Sequence, residues 1–262
     1  MSKNILAPTL LLALMASAAH AQIAGDAATR GLRELHREAR DARILTRNAG
    51  KVSPPSTSLT LGLAHDRAED DSKVLSTPFV LNYNTGGTEN DWWGFQLLGD
   101  GYVHATVPGE PSASGMGDLA VNVSRPLVPK LIGTVGVGIP AHGEVGSNRW
   151  SLSGRLLYKD SITDQWNYRI MGRIAHQRND APGVSALSSL LYGWLGYDVD
   201  KRHSLALSLS RHYRRGAGGA TEFGLEYDFP ATEKLDASLS LGRGLSKGAR
   251  HTAVEFDLSC SF

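Results

Sequence analysis

Arg155 and Lys159, Arg169 and Arg173, Glu222, Glu226 and Asp228, and Glu255 and Asp257 stand at even separations in runs where apolar residues take the alternate positions. In an extended chain successive side chains point to opposite faces, so each set shares one face of its segment. Asp236 holds the same phase among Leu235, Ala237 and Leu239. Charges ranked on one face of several strands can do either of two things. They can line an aqueous passage and select solutes by charge, or they can pair across a narrow interior and close it. The residues leave both readings open.

Other chemistry is poorly supplied. Ser210 and His212 are two residues apart and share a face, but a nucleophile and its base also need an orienting third group, and none is evident. His203 and Ser204 are adjacent, so they point apart. No enzymatic activity is expected. His65, His104, His142, His176 and His251 are scattered without ligand spacing, so no metal site and no cofactor is expected. Cys260 is the only cysteine, which excludes an intramolecular disulfide. Asp66, Glu69, Asp70 and Asp71 read as a solvated loop tip, with divalent-cation bridging to lipopolysaccharide as the sharper alternative. With 20% charged residues and a formal net charge of +1, no nucleic-acid footprint shows.

The elements that must position the ranked charges follow from periodicity. Lys3, an apolar run from Ile5 to Ala16, and Ala19-His20-Ala21 predict a signal peptide over 1–21, with Gln22 as the mature start. The run is too short for a membrane span, which needs roughly 20 apolar residues. No long apolar run follows, which excludes a helical inner-membrane protein. Residues 22–56 are expected to be a periplasmic arm and linker. Ala28, Leu32, Leu35, Ala39 and Ala42 recur at helical spacing after a possible cap at Asp26, and Pro54-Pro55 end the helix.

From 57 to 262 the period changes to two, and twelve strands are predicted. Leu59-x-Leu61-x-Leu63, Leu205-x-Leu207-x-Leu209 and Val254-x-Phe256-x-Leu258-x-Cys260-x-Phe262 show the pattern most clearly. Short connections around 126–130, 199–202 and 230–234 alternate with longer ones over 102–115, 140–149 and 176–186. Tyr83, Trp93, Tyr158, Trp166, Tyr197, Tyr227, Phe229 and Phe262 collect beside the short connections, as amphipathic rings do at a headgroup level. An even strand number, alternating loop lengths and an aromatic girdle predict an all-β fold, a transmembrane antiparallel up-and-down barrel of the bacterial outer membrane. The terminal Phe262 resembles the final aromatic by which the barrel assembly machinery recognises a last strand, and Cys260 is expected to face lipid.

Gly115-Met116-Gly117-Asp118-Leu119-Ala120-Val121 and Thr134-Val135-Gly136-Val137-Gly138-Ile139-Pro140 resemble recurring pieces of one family. It is the outer-membrane family called "MetA-pathway of phenol degradation", whose members are often simply named transporters. The resemblance implies a barrel over 57–262 that passes small, often apolar molecules. The functional expectation is passive diffusion of small molecules through a narrow charged lumen, with outer-membrane lipid and lipopolysaccharide around it. The alternative is a closed barrel that displays loops or holds a periplasmic partner through its N-terminal helix.

Overall fold

The structure, a computed structural model, describes residues 54–262 apart from 89, 110, 144, 148, 178–185, 201, 217, 233 and 247–248. The signal peptide and the helical arm lie outside the described residues.

Alternation becomes strand wherever the sequence promised it. The order is β1 (Ser56–Arg67), β2 (Lys73–Asn84), β3 (Gly94–Thr106), β4 (Ala113–Gly115), β5 (Leu119–Val128), β6 (Leu131–Ile139) and β7 (Ser151–Ser161). It continues with β8 (Trp166–Gln177), β9 (Leu187–Asp198), β10 (Ser204–Arg214), β11 (Gly218–Pro230), β12 (Leu235–Gly244) and β13 (Thr252–Ser261). Each strand pairs antiparallel with its sequence neighbour, except that the three-residue β4 only folds back on β3 while β5 takes the place beside it. The ring therefore has twelve strands, as predicted. Pairing of β1 with β13, from Ser58–Ser261 to Arg67–Thr252, closes it. The last residue takes part: Phe262 N–H donates to the Thr57 carbonyl at 2.8 Å.

Both ends of the barrel chain thus lie at one rim, the turn end, with the connections 129–130, 162–165, 199–203 and 231–234. The opposite rim, the loop end, carries 140–150, 178–186 and 245–251. The predicted alternation of loop lengths holds with two departures. The connection over 85–93 at the turn end is long, and Gly87 in it sits at φ +126°, where an added Cβ would meet the Asp91 carbonyl oxygen at 2.1 Å. At the loop end β10 and β11 keep pairing up to Arg214–Gly218, which leaves only 215–217 between them. The predicted loop over 102–115 is likewise partly strand, since β3 runs to Thr106 and β4 follows.

Proline marks the irregular places in the sheet. Register shifts fall between Ser76 and Pro78 in the β2–β3 ladder and between Pro126 and Val128 in β5–β6. Proline lacks the N–H that a regular ladder needs, so a bulge is where a strand tolerates it. Lys130 closes the tight β5–β6 turn at φ 69°.

The outer face is the predicted apolar set, with Leu61, Leu81, Leu207, Leu225, Leu241 and Phe256 exposed. At the turn end the predicted girdle is a belt of ring contacts. Trp166 and Tyr197 lie 4.8 Å apart, Tyr227 and Phe229 5.3 Å, Tyr158 and Tyr168 6.1 Å, and Tyr83 and Phe95 6.3 Å. Cys260 continues the outward row of Phe256 and Leu258 and pairs with Leu59.

Two tests follow from this arrangement. Spin labels at Leu207 and Ser208 in bilayers should report lipid and interior respectively; a common environment at both would refute the period-two assignment. Deleting Phe262 removes a paired residue of the closing strand, so insertion should slow or stop. Normal yields of heat-modifiable, protease-resistant barrel would contradict that.

Candidate functional site: the barrel interior

Closing the ring decides which residues share the interior. With strands in sequence order, β7 and β8 stand across the barrel from β13 and β1. The inner wall divides into three arcs.

The first arc, β1 to β6, is lined by neutral polar groups below the loop end, where Asp66 of β1 and Asp100 of β3 bring carboxylates in. Asn82 donates to Ser58 Oγ at 3.3 Å, Gln96 to Asn82 Oδ1 at 2.7 Å, and Asn122 to Gln96 Oε1 at 3.3 Å. Ser124 and Thr134 continue the chain with a hydroxyl pair at 2.8 Å. Carboxamides both donate and accept, so a ladder of them satisfies a curved polar wall without net charge.

The second arc is basic. Arg155 and Arg173 are direct cross-strand partners, and so are Lys159 and Arg169. Arg155 is buried and the other three are half-buried. Like charges set opposite one another repel, so this arc concentrates positive potential in one place. The Arg169 guanidinium lies 4.0 Å from the centroid of the Trp194 ring. A contact of this kind contributes about 0.5 to 2 kcal/mol, rising with desolvation. Gly196 makes it possible: a Cβ there would lie 2.0 Å from the indole.

The third arc, β10 to β13, is acidic and built differently. Cross-strand rows run Glu226–Ser240–Glu255 and Asp228–Ser238–Asp257. Serines on β12 hold the carboxylates of β11 and β13 two strand spacings apart, about 10 Å. Ser204 donates to Asp228 Oδ2 at 3.1 Å and Ser238 to Asp257 at 3.5 Å. Glu226, Glu255 and Asp257 are buried, Asp228 is half-buried, and Asp236 is exposed at the turn end.

Sequence reasoning missed two features. One is an apolar strip on the inner wall. Ile132, Leu157, Met171, Leu190, Tyr192 and Trp194 belong to one buried cluster beside the basic arc. The signals were doubled apolar residues, Leu156-Leu157 and Leu190-Leu191-Tyr192, where strict alternation breaks.

The other is Arg250, from the connection between β12 and β13. Its guanidinium is buried and gives Nη2–Oε2 at 2.7 Å and Nε–Oε1 at 3.1 Å to Glu222, with Nη1–Oδ1 at 2.6 Å to Asp66. Its backbone N–H also donates to Glu222, at 3.2 Å. Burial works against its charge, but Asp66 and Glu222 outweigh that and raise its pKa. This corrects the reading of Asp66 as part of a solvated tip. It faces inward one residue before the end of β1, whereas Asp71 pairs outward with Arg67. Glu222 likewise ties down this connection.

Ser210 and His212 share the interior face of β10, as their spacing implied, and among the described residues no group of three or more His, Cys, Asp or Glu is placed to hold a metal. His203, at the turn end, bonds Tyr227 Oη at 2.8 Å through Nδ1. Arg250→Met would leave two buried carboxylates without their cation, a change that costs about 3–5 kcal/mol. The expected result is a clear drop in the thermal unfolding midpoint of the purified barrel; an unchanged midpoint would show that the cluster contributes nothing.

No family model and no curated protein matches this chain. Solved structures do. An outer membrane channel of the COG4313 group from Pseudomonas putida F1 matches with TM-score 0.64 and 19% identity, over 82% of this chain and 98% of that one. The translocator domain of the autotransporter NalP from Neisseria meningitidis matches with TM-score 0.53 and 10% identity, over 90% and 96%. KdgM porin matches with TM-score 0.50 and 14% identity, over 78% and 99%. At these identities the likeness establishes the fold: a closed antiparallel barrel of the kind found in bacterial outer membranes.

Proposed function

We propose that this chain is an outer-membrane channel for small molecules, with a narrow lumen whose facing basic and acidic arcs set charge preference. The observation that carries the reading is the segregation of sign. Positive side chains gather on β7 and β8, and carboxylates gather on β11 and β13 with β13 across the ring. The field of such walls runs across the passage and orients dipolar or charged solutes. The barrel likeness to a COG4313 channel and to KdgM porin supports the same reading. In this reading the turn end faces the periplasm, since outer-membrane barrels have short periplasmic turns and longer external loops. Residues 22–56 then belong to the periplasm. The apolar strip beside the arginines agrees with the small, often apolar cargo implied by the resemblance to the phenol-degradation transporter family.

A second reading, a closed structural barrel, draws on the burial of inward carboxylates, with Glu255 only 1% exposed. The two readings differ in what neutralisation does. In a channel, Arg169→Gln with Arg173→Gln should shift selectivity toward cations, most at low salt where screening is weak. In a closed interior the same change strands acidic groups and mainly lowers stability. Reversal potentials in a salt gradient, recorded beside thermal unfolding, separate them. Lost stability without altered selectivity would refute the channel role of these arginines.

A further inference from the structure

The outward face of the loop end carries a row of cations that the lumen does not use. Register places Lys73 directly opposite Arg67 across β2 and β1, and Arg67 opposite Thr252 across β1 and β13. The β12–β13 ladder reaches Gly242–Ala253, so Arg243 lies one step further, beside Thr252. Lys73, Arg67, Thr252 and Arg243 therefore form one row over four neighbouring strands. On the next part of the wall Arg211 of β10 lies opposite Thr221 of β11 and donates to its hydroxyl at 3.4 Å. Arg67, Lys73 and Arg243 are exposed and Arg211 is half-buried.

These side chains hold the same alternating phase as Leu63, Leu75, Leu209, Leu241 and Val254, so they stand directly above the lipid-facing belt. The turn end is built otherwise. There the outward positions hold Tyr83, Trp93, Phe95 and Trp166, and Arg125 lies over the Trp93 ring at 4.8 Å. Aromatic rings suit an ordinary headgroup interface. A cation row above an apolar belt suits a ligand with anionic groups over acyl chains.

We propose that Lys73, Arg67 and Arg243, with Arg211 beside them, bind the phosphates of lipopolysaccharide in the external leaflet. The proposal rests on the orientation given under the proposed function. Guanidinium forks match phosphate oxygens bidentately. Arg67 and Arg243 flank Thr252 at two strand spacings, about 10 Å, so they can engage separate phosphates of one glycolipid head while Thr252 offers a hydroxyl between them. Asp71 competes for Arg67, but an exposed pair is held weakly and a multivalent phosphate ligand can displace it.

The test uses the folded barrel in detergent, titrated with bis-phosphorylated lipid A and followed by native mass spectrometry. Dephosphorylated lipid A and phosphatidylglycerol serve as the comparison lipids. Arg67→Gln with Arg243→Gln should weaken lipid A binding at least ten-fold, and dephosphorylated lipid A should bind the unaltered protein equally poorly. Arg202→Gln with Lys234→Gln, at the turn end, should change neither. If the double variant does not fold, Lys73→Gln alone should still weaken binding several-fold. Equal binding of dephosphorylated lipid A, or of phosphatidylglycerol, would overturn the proposal, as would unaltered affinity in the folded variants. Conductance is read separately, so loss of this site and loss of the channel reading give different results.

Discussion

Everything in this barrel depends on the pairing of β1 with β13. A sheet whose outer face is Leu61, Leu81, Leu207 and Phe256 has no water to satisfy a free backbone edge, and an unpaired N–H or C=O in hydrocarbon costs several kcal/mol. Closure removes both edges at once. It also fixes parity: an antiparallel ring closed by its own first and last strands has an even strand number, with both chain ends at one rim. The short β4 does not disturb this, because it adds to the side of β3 beyond the ring. The bond from Phe262 to Thr57 extends the seam to the final residue.

Closure also creates an interior that must be filled or hydrated, and the two charged arcs meet that need by different physics. On the acidic side the serines of β12 separate carboxylates, and Ser238 donates to Asp257, which lowers repulsion without neutralising charge. On the basic side Arg155 faces Arg173 and Lys159 faces Arg169. There the charge is steadied by an aromatic surface, Trp194, set into a gap that Gly196 leaves. At the loop end Arg250 joins β1 and β11 through Asp66 and Glu222, so a connection that could have stood in solvent reaches into the wall. The inside and outside of the same strands thus carry separate tasks, with the outer cation row and the aromatic belt marking opposite rims.

Period-two alternation made the fold legible. It is local: a strand with one oily face announces itself within a handful of residues, and twelve such segments with aromatics beside alternate turns leave few architectures. The even spacing of Arg155, Lys159, Arg169, Arg173, Glu226, Glu255 and Asp257 placed them on the inner face for the same reason, since facing is a property of one strand. Deviations were harder to read. Leu157 and Tyr192 depart from strict alternation, and only the closed ring shows that they lie in one cluster with Trp194.

The sequence by itself determined strand number, face and the rim at which the rings gather, because each is set by neighbours along the chain. Tertiary structure alone decided which strands meet. Arg250 and Asp66 are separated by 184 positions and become partners only when the last strand closes on the first. The cation row is of the same kind: Lys73, Arg67 and Arg243 are unremarkable strand-end charges until register brings three strand ends to one height. Register is a property of pairs of strands, fixed by turns, bulges and closure together, and no single stretch of sequence contains it.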